Sequence, residues 1–363
     1  MVDNLVSSDI FGPMRFSVKR RWQASPQVVA GLAAVLLATS CGRVPTATGP
    51  GDQTASAPRT QTPTTVSSPS ASSCASTPSP RGDSAFAYVP GLQEGVLYGG
   101  QDSQNRYLSD TWIWKAGCFT EVLPAHKPPS LTDRSAAYDA ARGVVVVVGG
   151  YYAAAGGWVT STWTWNGQDW APTPATTPQL PARSIAYDPK EQKVLMFGET
   201  VQGGDPQTWA WDGAQWSQLS PSTEPPPRQQ ASMVFDSRTG TVVLFGGIAG
   251  ANNQELADMW SWNGSTWSEL HPHTNPEARA DATLVPASAQ GRLLLVGGEH
   301  APAVLSDAWA WDGSNWTSIA SFGARAGASA IDTGSQVVLF GGWSDKLVTN
   351  QTWVWSGAGW AAR

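Results

Sequence analysis

One pattern of apolar and polar positions occurs six times between residue 81 and residue 363. Each copy contains a run of apolar and β-branched residues that ends in glycine, and such a run is typical of a strand buried on both faces. The six runs cover residues 96–100, 144–150, 194–198, 241–247, 293–298 and 337–342. Their terminal glycines allow the backbone to leave the strand through positive φ or close packing. A repeat of this size indicates one supersecondary unit used six times.

Tryptophan marks a later strand of the same units. Pairs with the spacing Trp-x-Trp occur at 112/114, 163/165, 209/211, 260/262, 309/311 and 353/355, a period of 44 to 51 residues. Residues two apart share one face of a strand, so we expect each pair to pack against the neighbouring unit. Five residues after the second Trp stands another aromatic residue: Phe119, Trp170, Trp216, Trp267, Trp316 or Trp360. These positions hold seventeen of the twenty Trp, which favours a core role over a sugar-binding platform.

Turn signals complete the unit. Asn-Gly or Asp-Gly stands between the second Trp and the next aromatic residue at 166/167, 212/213, 263/264 and 312/313. These dipeptides predict a type I′ turn, which needs positive φ twice, and hence a tight hairpin of the third and fourth strands. First strands are predicted upstream of the glycine runs, for example at 135–139, 184–188 and 232–236. Each unit is therefore predicted to be four antiparallel strands. Because Glu199 follows Gly198 in place of a second glycine, the third unit should leave its second strand differently.

The units resemble the Kelch repeat in four features that recur in order. These features are an opening Arg, an apolar strand that ends in Gly-Gly, an aromatic third strand and a Trp on the fourth strand. The resemblance covers residues 81–363 and implies an all-β fold, a six-bladed β-propeller of four-stranded antiparallel blades. Both terminal units are complete in sequence. We therefore expect the ring to close by packing of blade faces rather than by exchange of a strand.

An export signal peptide is predicted in residues 1–40. A cluster of Arg and Lys precedes a short apolar stretch at 28–38, which is about half of the roughly 20 residues that a membrane span needs. The sequence Leu-Ala-Thr-Ser-Cys ending at Cys41 resembles a bacterial lipobox, which implies cleavage before Cys41 and an outward-facing, lipid-anchored chain. Ala38 departs from the Leu, Val or Ile usual at its position, and plain secretion is the alternative. Met14 is a second candidate start, since a signal of ordinary length begins there.

Residues 41–80 are predicted to be a disordered linker. They are rich in Pro, Ser and Thr and have almost nothing apolar to bury, so they cannot offset their own ordering entropy. With Cys41 acylated, Cys74 and Cys118 are the remaining thiols, and an exported chain allows them to pair. Such a disulfide would close a loop of about 45 residues and contribute about 4 kcal/mol in the chain-entropy model. Two free thiols are the alternative.

The charge balance argues against one class of partner. The chain has 22 Lys and Arg against 28 Asp and Glu, a formal charge of -6. This composition offers no basic surface for phosphate backbones or anionic lipid headgroups. We therefore expect no nucleic-acid partner, and contact with the membrane only through the lipid anchor.

One face of the predicted ring is the candidate binding site. In an up-down-up-down blade, the loops between second and third strands emerge on the same side as the connections between blades, and we call this side the loop face. Such loops vary without disturbing a core, which favours them for binding. The candidate ligand-binding residues are Tyr151, Tyr152, Trp158, Trp343, Arg134, Arg183, Arg228, Arg279 and Arg325, and Arg81 opens the first unit in the same way. A structural role, in which each Arg holds carbonyl groups of an adjacent blade, is the alternative for the arginines.

These features predict a binding module for a protein, peptide or glycan ligand of the cell envelope, with no cofactor. The alternative is an envelope-associated enzyme, metal-dependent in one form, that acts on a polysaccharide or a small molecule. The cluster with metal-ligand character is His271, His273, Glu299 and His300. The sequence contains neither a Gly-Lys-Ser/Thr phosphate loop nor a nucleophile elbow. It also lacks the residue pattern that copper-radical oxidases and sialidases place on propellers.

Overall fold

The computed structural model describes Cys74 and residues 76–130, 135–149, 151–152, 157–158, 161–180, 184–200, 204–250, 253–344 and 347–363. At 151–152 and 157–158 it describes the backbone alone. The predicted signal peptide, Cys41, most of the linker, Arg134 and Arg183 lie outside the described residues.

Six four-stranded antiparallel sheets make up the described chain, and each sheet is one blade. Blade 1 holds β1 (Ala85–Val89), β2 (Glu94–Tyr98), β3 (Thr111–Lys115) and β4 (Cys118–Val122). Blade 2 holds β5 (Ser135–Asp139), β6 (Val144–Val148), β9 (Thr162–Trp165) and β10 (Trp170–Pro172). Blade 3 holds β11 (Ser184–Asp188), β12 (Lys193–Glu199), β13 (Pro206–Trp211) and β14 (Trp216–Leu219). Blade 4 holds β15 (Ser232–Asp236), β16 (Thr241–Phe245), β19 (Met259–Trp262) and β20 (Trp267–Leu270).

Blade 5 holds β21 (Thr283–Ala287), β22 (Arg292–Val296), β25 (Ala308–Trp311) and β26 (Trp316–Ile319), and a short 3-10 helix (Ser288–Gln290) joins its first two strands. Blade 6 holds β27 (Ser329–Asp332), β28 (Val337–Phe340), β29 (Thr352–Trp355) and β30 (Trp360–Ala362). The first strands of successive blades contact one another in order, and β27 contacts β1. The predicted six-bladed propeller is therefore confirmed.

The core lies between the blades. Ala85 and Val96 of blade 1, for example, pack with Trp165 and Trp170 of blade 2. The ring centroids of Trp165 and Trp170 are 5.3 Å apart, and the matching pairs of blades 3 to 6 lie within 5.3 to 5.6 Å. Burying one indole removes about 150 to 250 Å² from water, so these rings are a principal source of cohesion between blades. The second Trp of every Trp-x-Trp pair lies in an apolar cluster shared with the preceding blade, so the expected packing against a neighbouring blade is confirmed for these residues.

The ring closes between blades 1 and 6 without exchange of a strand. Each of these blades keeps its own four strands. Their faces share one apolar cluster, in which the rings of Phe119 and Phe340 lie 4.9 Å apart. The hydroxyls of Ser84 and Ser329 are hydrogen-bonded at 2.9 Å across the same junction. Closure by face packing, as expected from two complete terminal units, is confirmed.

The paired glycines of blades 1, 4, 5 and 6 end the second strands by adopting positive φ. In blade 5, φ is 57° at Gly297 and 105° at Gly298. A Cβ on Gly297 would lie 1.9 Å from the carbonyl oxygen of Arg325 in the next blade, so only glycine fits there. In blade 3, by contrast, β12 continues through Glu199 and stays paired with β13. A side chain disfavours positive φ, which explains why this strand runs on.

The third and fourth strands form the predicted hairpins, but the turn type was wrong. In the Asn-Gly and Asp-Gly turns only the glycine has positive φ, for example 99° at Gly167. The side-chain oxygen of Asn166 accepts hydrogen bonds from the N–H groups of Gln168 and Asp169. These side-chain hydrogen bonds stabilise the turn, so it does not need a second residue with positive φ. In blade 1, Ala116-Gly117 has positive φ twice and follows the predicted pattern instead.

A buried hydrogen bond crosses three junctions between blades. In blades 1 to 3 the third strand starts or is centred on a Thr whose hydroxyl accepts the indole N–H of the fourth-strand Trp of the next blade. The pairs are Trp170–Thr111 at 3.0 Å, Trp216–Thr162 at 2.9 Å and Trp267–Thr208 at 3.0 Å. Met259 and Ala308 occupy this position in blades 4 and 5, and the indole nitrogens of Trp316 and Trp360 are buried without a partner. The blades are therefore not fastened identically.

A disulfide joins Cys74 to Cys118, as predicted, with 5.4 Å between their Cα atoms. Ser76 forms a β-bridge with Phe119 of β4. The segment before Arg81 is thus attached to the outer strand of blade 1.

Candidate ligand-binding face

Short pairings extend the loop face above the blades. Within the described residues the second-to-third-strand loops contain three hairpins: β7 (Tyr151–Tyr152) with β8 (Gly157–Trp158), β17 (Ile248–Ala249) with β18 (Gln254–Glu255), and β23 (Glu299–His300) with β24 (Ala303–Val304). In blades 1 and 6 a single β-bridge pairs the two sides of the corresponding loop. These bridges join Gln101 to Tyr107 and Trp343 to Val348. Tyr151 pairs with Trp158, so the backbone brings these two predicted site residues together.

Three blades place a buried Arg against the Asp that immediately precedes their own third strand, and we call this contact the Arg–Asp junction. The pairs are Arg81–Asp110, Arg228–Asp258 and Arg279–Asp307, each with a shortest N···O distance of 2.6 Å. Each guanidinium also donates to the carbonyl of the first glycine of its blade's Gly-Gly pair and to the carbonyl two residues upstream of the arginine. The side chains of these arginines are 0% exposed. Every junction is therefore a bidentate, charge-assisted contact inside the protein.

A Trp of each junction shares the carboxylate. The indole N–H groups of Trp112, Trp260 and Trp309 donate to the Asp that stands two residues earlier, at 2.6 to 2.7 Å. Burial alone would raise the pKa of Asp110, Asp258 and Asp307. The hydrogen bonds and charge of the arginine outweigh that effect, so the pKa of each carboxyl lies below its ordinary value. The carboxylates therefore stay ionised at the junctions.

The arginine backbone reaches the preceding blade. The N–H of Arg279 donates to Leu256 O and the N–H of Gly247 donates to Arg279 O, each at 2.9 Å. Arg81 makes the same two bonds with Thr349 and Gly342 of blade 6. The expected alternative role was half right, because the backbone holds the adjacent blade while the side chain holds its own blade. The structure thus favours a structural role for Arg228 and Arg279.

Arg134 and Arg183 are not equivalent to the other arginines, which corrects the sequence interpretation. Arg228 stands four residues before β15, whereas Arg183 stands directly before β11. The position four before β11 is Leu180, which is buried in the core. The position of the junction Asp is Gln207 in blade 3 and Ser161 in blade 2. The side chains of Arg134 and Arg183 lie outside the described residues, and their ligand role stays a prediction.

The residues two positions after four of the opening arginines follow one another around the loop face, and we call the opening that they surround the mouth of the ring. These residues are Asp83, Gln230, Asp281 and Gly327. They share left-handed φ values: 54° at Asp83, 56° at Gln230, 49° at Asp281 and 58° at Gly327. Their backbones form a chain of hydrogen bonds, in which Asp83 donates to Gly327, Gly327 to Asp281 and Asp281 to Gln230. Sequence reasoning missed this set. Only one of the four residues is a glycine, so residue type does not indicate the left-handed conformation. The constant spacing of two residues after each arginine is the sequence feature that could have predicted it.

Trp343 lies beside this mouth and is half-buried. Its indole N–H donates to an Asp83 carboxylate oxygen at 3.2 Å. A Cβ on Gly82 would lie 2.1 Å from the Trp343 indole nitrogen, so the ring rests directly on that backbone. Trp343 therefore packs at the closure between blades 6 and 1 while keeping part of its surface on the loop face.

The four predicted metal ligands are not brought together. His271 lies 3.9 Å from Glu269, and His300 lies 3.7 Å from Glu277. Across the described residues there is no group of three or more His, Cys, Asp or Glu side chains arranged to hold a metal ion. Glu299 and His300 instead form the first strand of a short hairpin, β23.

An open groove lies on the loop face of blade 1. It has a volume of about 450 Å³ and is lined by residues 107–111, 121–125 and 127. Leu123 at its edge is 91% exposed. The described chain has two other exposed large hydrophobic residues, of which Leu347 (67%) lies on the loop face and Leu92 (44%) lies in a turn on the opposite face.

Comparison with known proteins agrees with the architecture. Residues 190–360 match a family model described as the KLHDC2/KLHL20/DRC7 Kelch-repeats domain. No curated protein matches the chain. The match spans most of blade 3 and nearly all of blades 4 to 6, and the six blades share one plan. The chain is therefore a six-bladed β-propeller in which residues 190–360 match a Kelch-repeat domain, and such a propeller suggests a protein-interaction module.

Proposed function

We propose that this chain is a lipid-anchored, extracytoplasmic binding module that recognises a protein or peptide of the bacterial cell envelope through its loop face. The observation that carries the proposal is the combination of the open groove with Leu123 and Leu347 on that face. The core between the blades is formed by the repeated Trp and their neighbours, and the exposed side chains of Leu123 and Leu347 take no part in it. Exposed apolar groups beside a groove are typical of interaction sites.

The charges of the loop face indicate a complementary partner. The loops after the second strands carry Asp102, Glu255 and Glu299 among their described residues, β12 ends at Glu199 on the same face, and the mouth adds Asp83 and Asp281. Arg106 is bonded to Asp102 and offsets one of them. Such a surface favours a ligand with basic groups next to apolar ones. We therefore expect binding to weaken as salt concentration rises.

The disulfide supports the proposed location. Cys74–Cys118 is a structural bridge of the kind that persists in oxidising compartments outside the cytosol. No helix within the described part of the chain is long and apolar enough to span a membrane. The anchor itself is tested by Cys41→Ala, which should release the chain from membranes. An unprocessed variant that remains fully membrane-bound would point to a different anchor.

Binding is tested with the full chain immobilised and exposed to envelope extract. Leu123→Ala and Leu347→Ala should each weaken capture of the ligand about fivefold, since a Leu truncation at an interface costs about 1 kcal/mol. Leu92→Ala on the opposite face is the matched control and should leave capture unchanged. Equal effects of all three substitutions would contradict the assignment of the loop face. Capture that survives protease treatment of the extract would identify a glycan ligand instead.

The aromatic residues sharpen the same test. Trp158→Ala and Trp343→Ala should weaken binding about thirtyfold if the rings are anchors, because such truncations typically cost about 2 kcal/mol. Trp343→Phe keeps the packing on Gly82 and removes the bond to Asp83, so it separates stability from binding. Lower thermal midpoints with unchanged affinity in both alanine variants would assign these rings to local packing.

A further inference from the structure

Blade 6 departs from the Arg–Asp junction at one position. Arg325 occupies the place of Arg279, but Gln351 stands where the other junctions have an Asp. The guanidinium donates one hydrogen bond to the Gln351 side-chain oxygen and one to the carbonyl of Ala324. Its Nε is buried and has no partner, whereas Nε of Arg279 donates to a backbone carbonyl. No described Asp or Glu forms an ion pair with Arg325.

This guanidinium is a buried cation without a counter-charge. Arg325 is only 6% exposed. Burial lowers the pKa of Arg325 from its ordinary value, with no opposing carboxylate. The nearest compensation is the ring of Phe322, whose centroid lies 5.8 Å from the guanidinium carbon, and such a contact is weaker than an ion pair. Burying a charge is unfavourable unless it is paired, so an anion beside the Arg325 guanidinium would stabilise blade 6.

We propose that Arg325 is a binding site for a carboxylate group from outside the chain, which takes the place that an aspartate fills in blades 1, 4 and 5. A carboxylate matches the planar guanidinium with two parallel hydrogen bonds, as Asp307 does for Arg279. The place is reachable, because the three junction aspartates keep 22 to 35% of their side-chain surface exposed. Gln351 is exposed and rotates outward when the carboxylate enters.

The inference is independent of the ligand proposed for the loop face, because it concerns a single buried cation and is tested with a small anion. The purified full chain is heated in sodium formate and, as the ionic-strength control, in sodium chloride at equal concentration. Formate at ten times its Kd should raise the thermal midpoint by about 2 to 3 °C above chloride. A midpoint that is identical in the two salts would overturn the proposal.

Two variants assign the effect to this position. Gln351→Asp supplies the missing carboxylate, so it should raise the midpoint in chloride and remove the response to formate. Asp307→Gln converts blade 5 to the arrangement of blade 6, so it should lower the midpoint and add a second formate response. A formate response that is unchanged in Gln351→Asp would refute the site even if the wild type responds.

Binding is also measured directly, which keeps the test decisive for a variant that folds poorly. Line broadening of 13C-labelled formate should occur with the wild type and disappear with Gln351→Asp. Acetate and N-acetylalanine then distinguish the sources of the carboxylate. Competition by N-acetylalanine would show that a peptide carboxyl terminus fits, and competition by acetate alone would restrict the site to small free anions. Failure of both, with no formate broadening, contradicts the proposal.

Discussion

Blades 2 and 3 differ from blades 4 and 5 in the polar contacts that hold the strands and blades together. Arg228–Asp258 and Arg279–Asp307 hold blades 4 and 5 near the loop face. Leu180, Gln207 and Ser161 occupy the corresponding places in blades 2 and 3. In the core the contrast is reversed, because Thr162 of blade 2 and Thr208 of blade 3 accept an indole N–H from the next blade. Met259 of blade 4 and Ala308 of blade 5 stand at the same position and offer no acceptor. The aromatic packing is common to all blades, so the polar contacts are exchangeable additions to it.

Acid should produce the largest loss of stability, since it acts on three junctions at once. The carboxyls of Asp110, Asp258 and Asp307 have a pKa below the ordinary value in the folded chain. The unfolded chain therefore binds their protons first as the pH falls. Their contribution is complete above the unfolded pKa of about 3.9 and is lost as the pH falls through the folded value.

Urea unfolding between pH 7 and pH 2 measures this loss. A variant that lacks one junction should lose roughly a third of the acid sensitivity attributed to these groups. Equal acid sensitivity in the wild type and in such a variant would show that the junctions do not govern it.

Copying blade 3 into blade 4 should have the next largest effect. Asp258→Gln leaves the buried Arg228 without a charged partner and should cost about 3 kcal/mol. Adding Arg228→Leu reproduces Leu180 and Gln207, so the double variant should regain about 1 to 3 kcal/mol of that loss. Urea midpoints of the two single variants and the double variant give the coupling energy. Additive losses would contradict the view that blade 3 is a stable alternative arrangement.

Removing one Thr–Trp bond should have the smallest effect. Thr208→Val leaves the indole N–H of Trp267 buried without an acceptor, as it already is in Trp316, and it also removes the hydrogen bond that the Thr208 hydroxyl donates to Glu224. The expected cost is about 1 to 2 kcal/mol. The matched change, Ala308→Ser, offers the buried N–H of Trp360 a hydroxyl and should be neutral or stabilise the chain by up to about 1 kcal/mol. Thermal midpoints of both variants measure the contrast, and a stabilising Thr208→Val would contradict it.

The sequence predicted the blades because their signals are periodic and local. Trp-x-Trp, the glycine runs and the Asn-Gly turns each fix a strand or a turn within a few residues. Arg134 and Arg183 were wrongly grouped with the other arginines. The number of residues between an Arg and the first strand of its blade depends on packing, which no local pattern indicates. A better signal was available, since Asp110, Asp258 and Asp307 each precede a repeated Trp by two residues, where blades without the junction have Ser or Gln.

The candidate site was only partly predictable for the same reason. The loop face follows from topology, and the backbone pairing of Tyr151 with Trp158 agrees with it. The contact of Trp343 with Asp83 joins residues 260 positions apart, and no local pattern announces it. The left-handed conformation at Gln230 could not be predicted from the sequence either, because the neighbouring blades impose it rather than the residue itself.

The disulfide determines where a mechanical pull on the chain enters the fold. Tension applied ahead of Cys74 passes through the covalent bond to Cys118, at the start of β4. The contacts of Arg81 that close the ring against blade 6 lie within the loop between the two cysteines. That loop is bypassed and carries no tension. Under the lipid anchoring proposed above, a pull by flow or shear would therefore bypass the contacts that close the ring between blades 1 and 6.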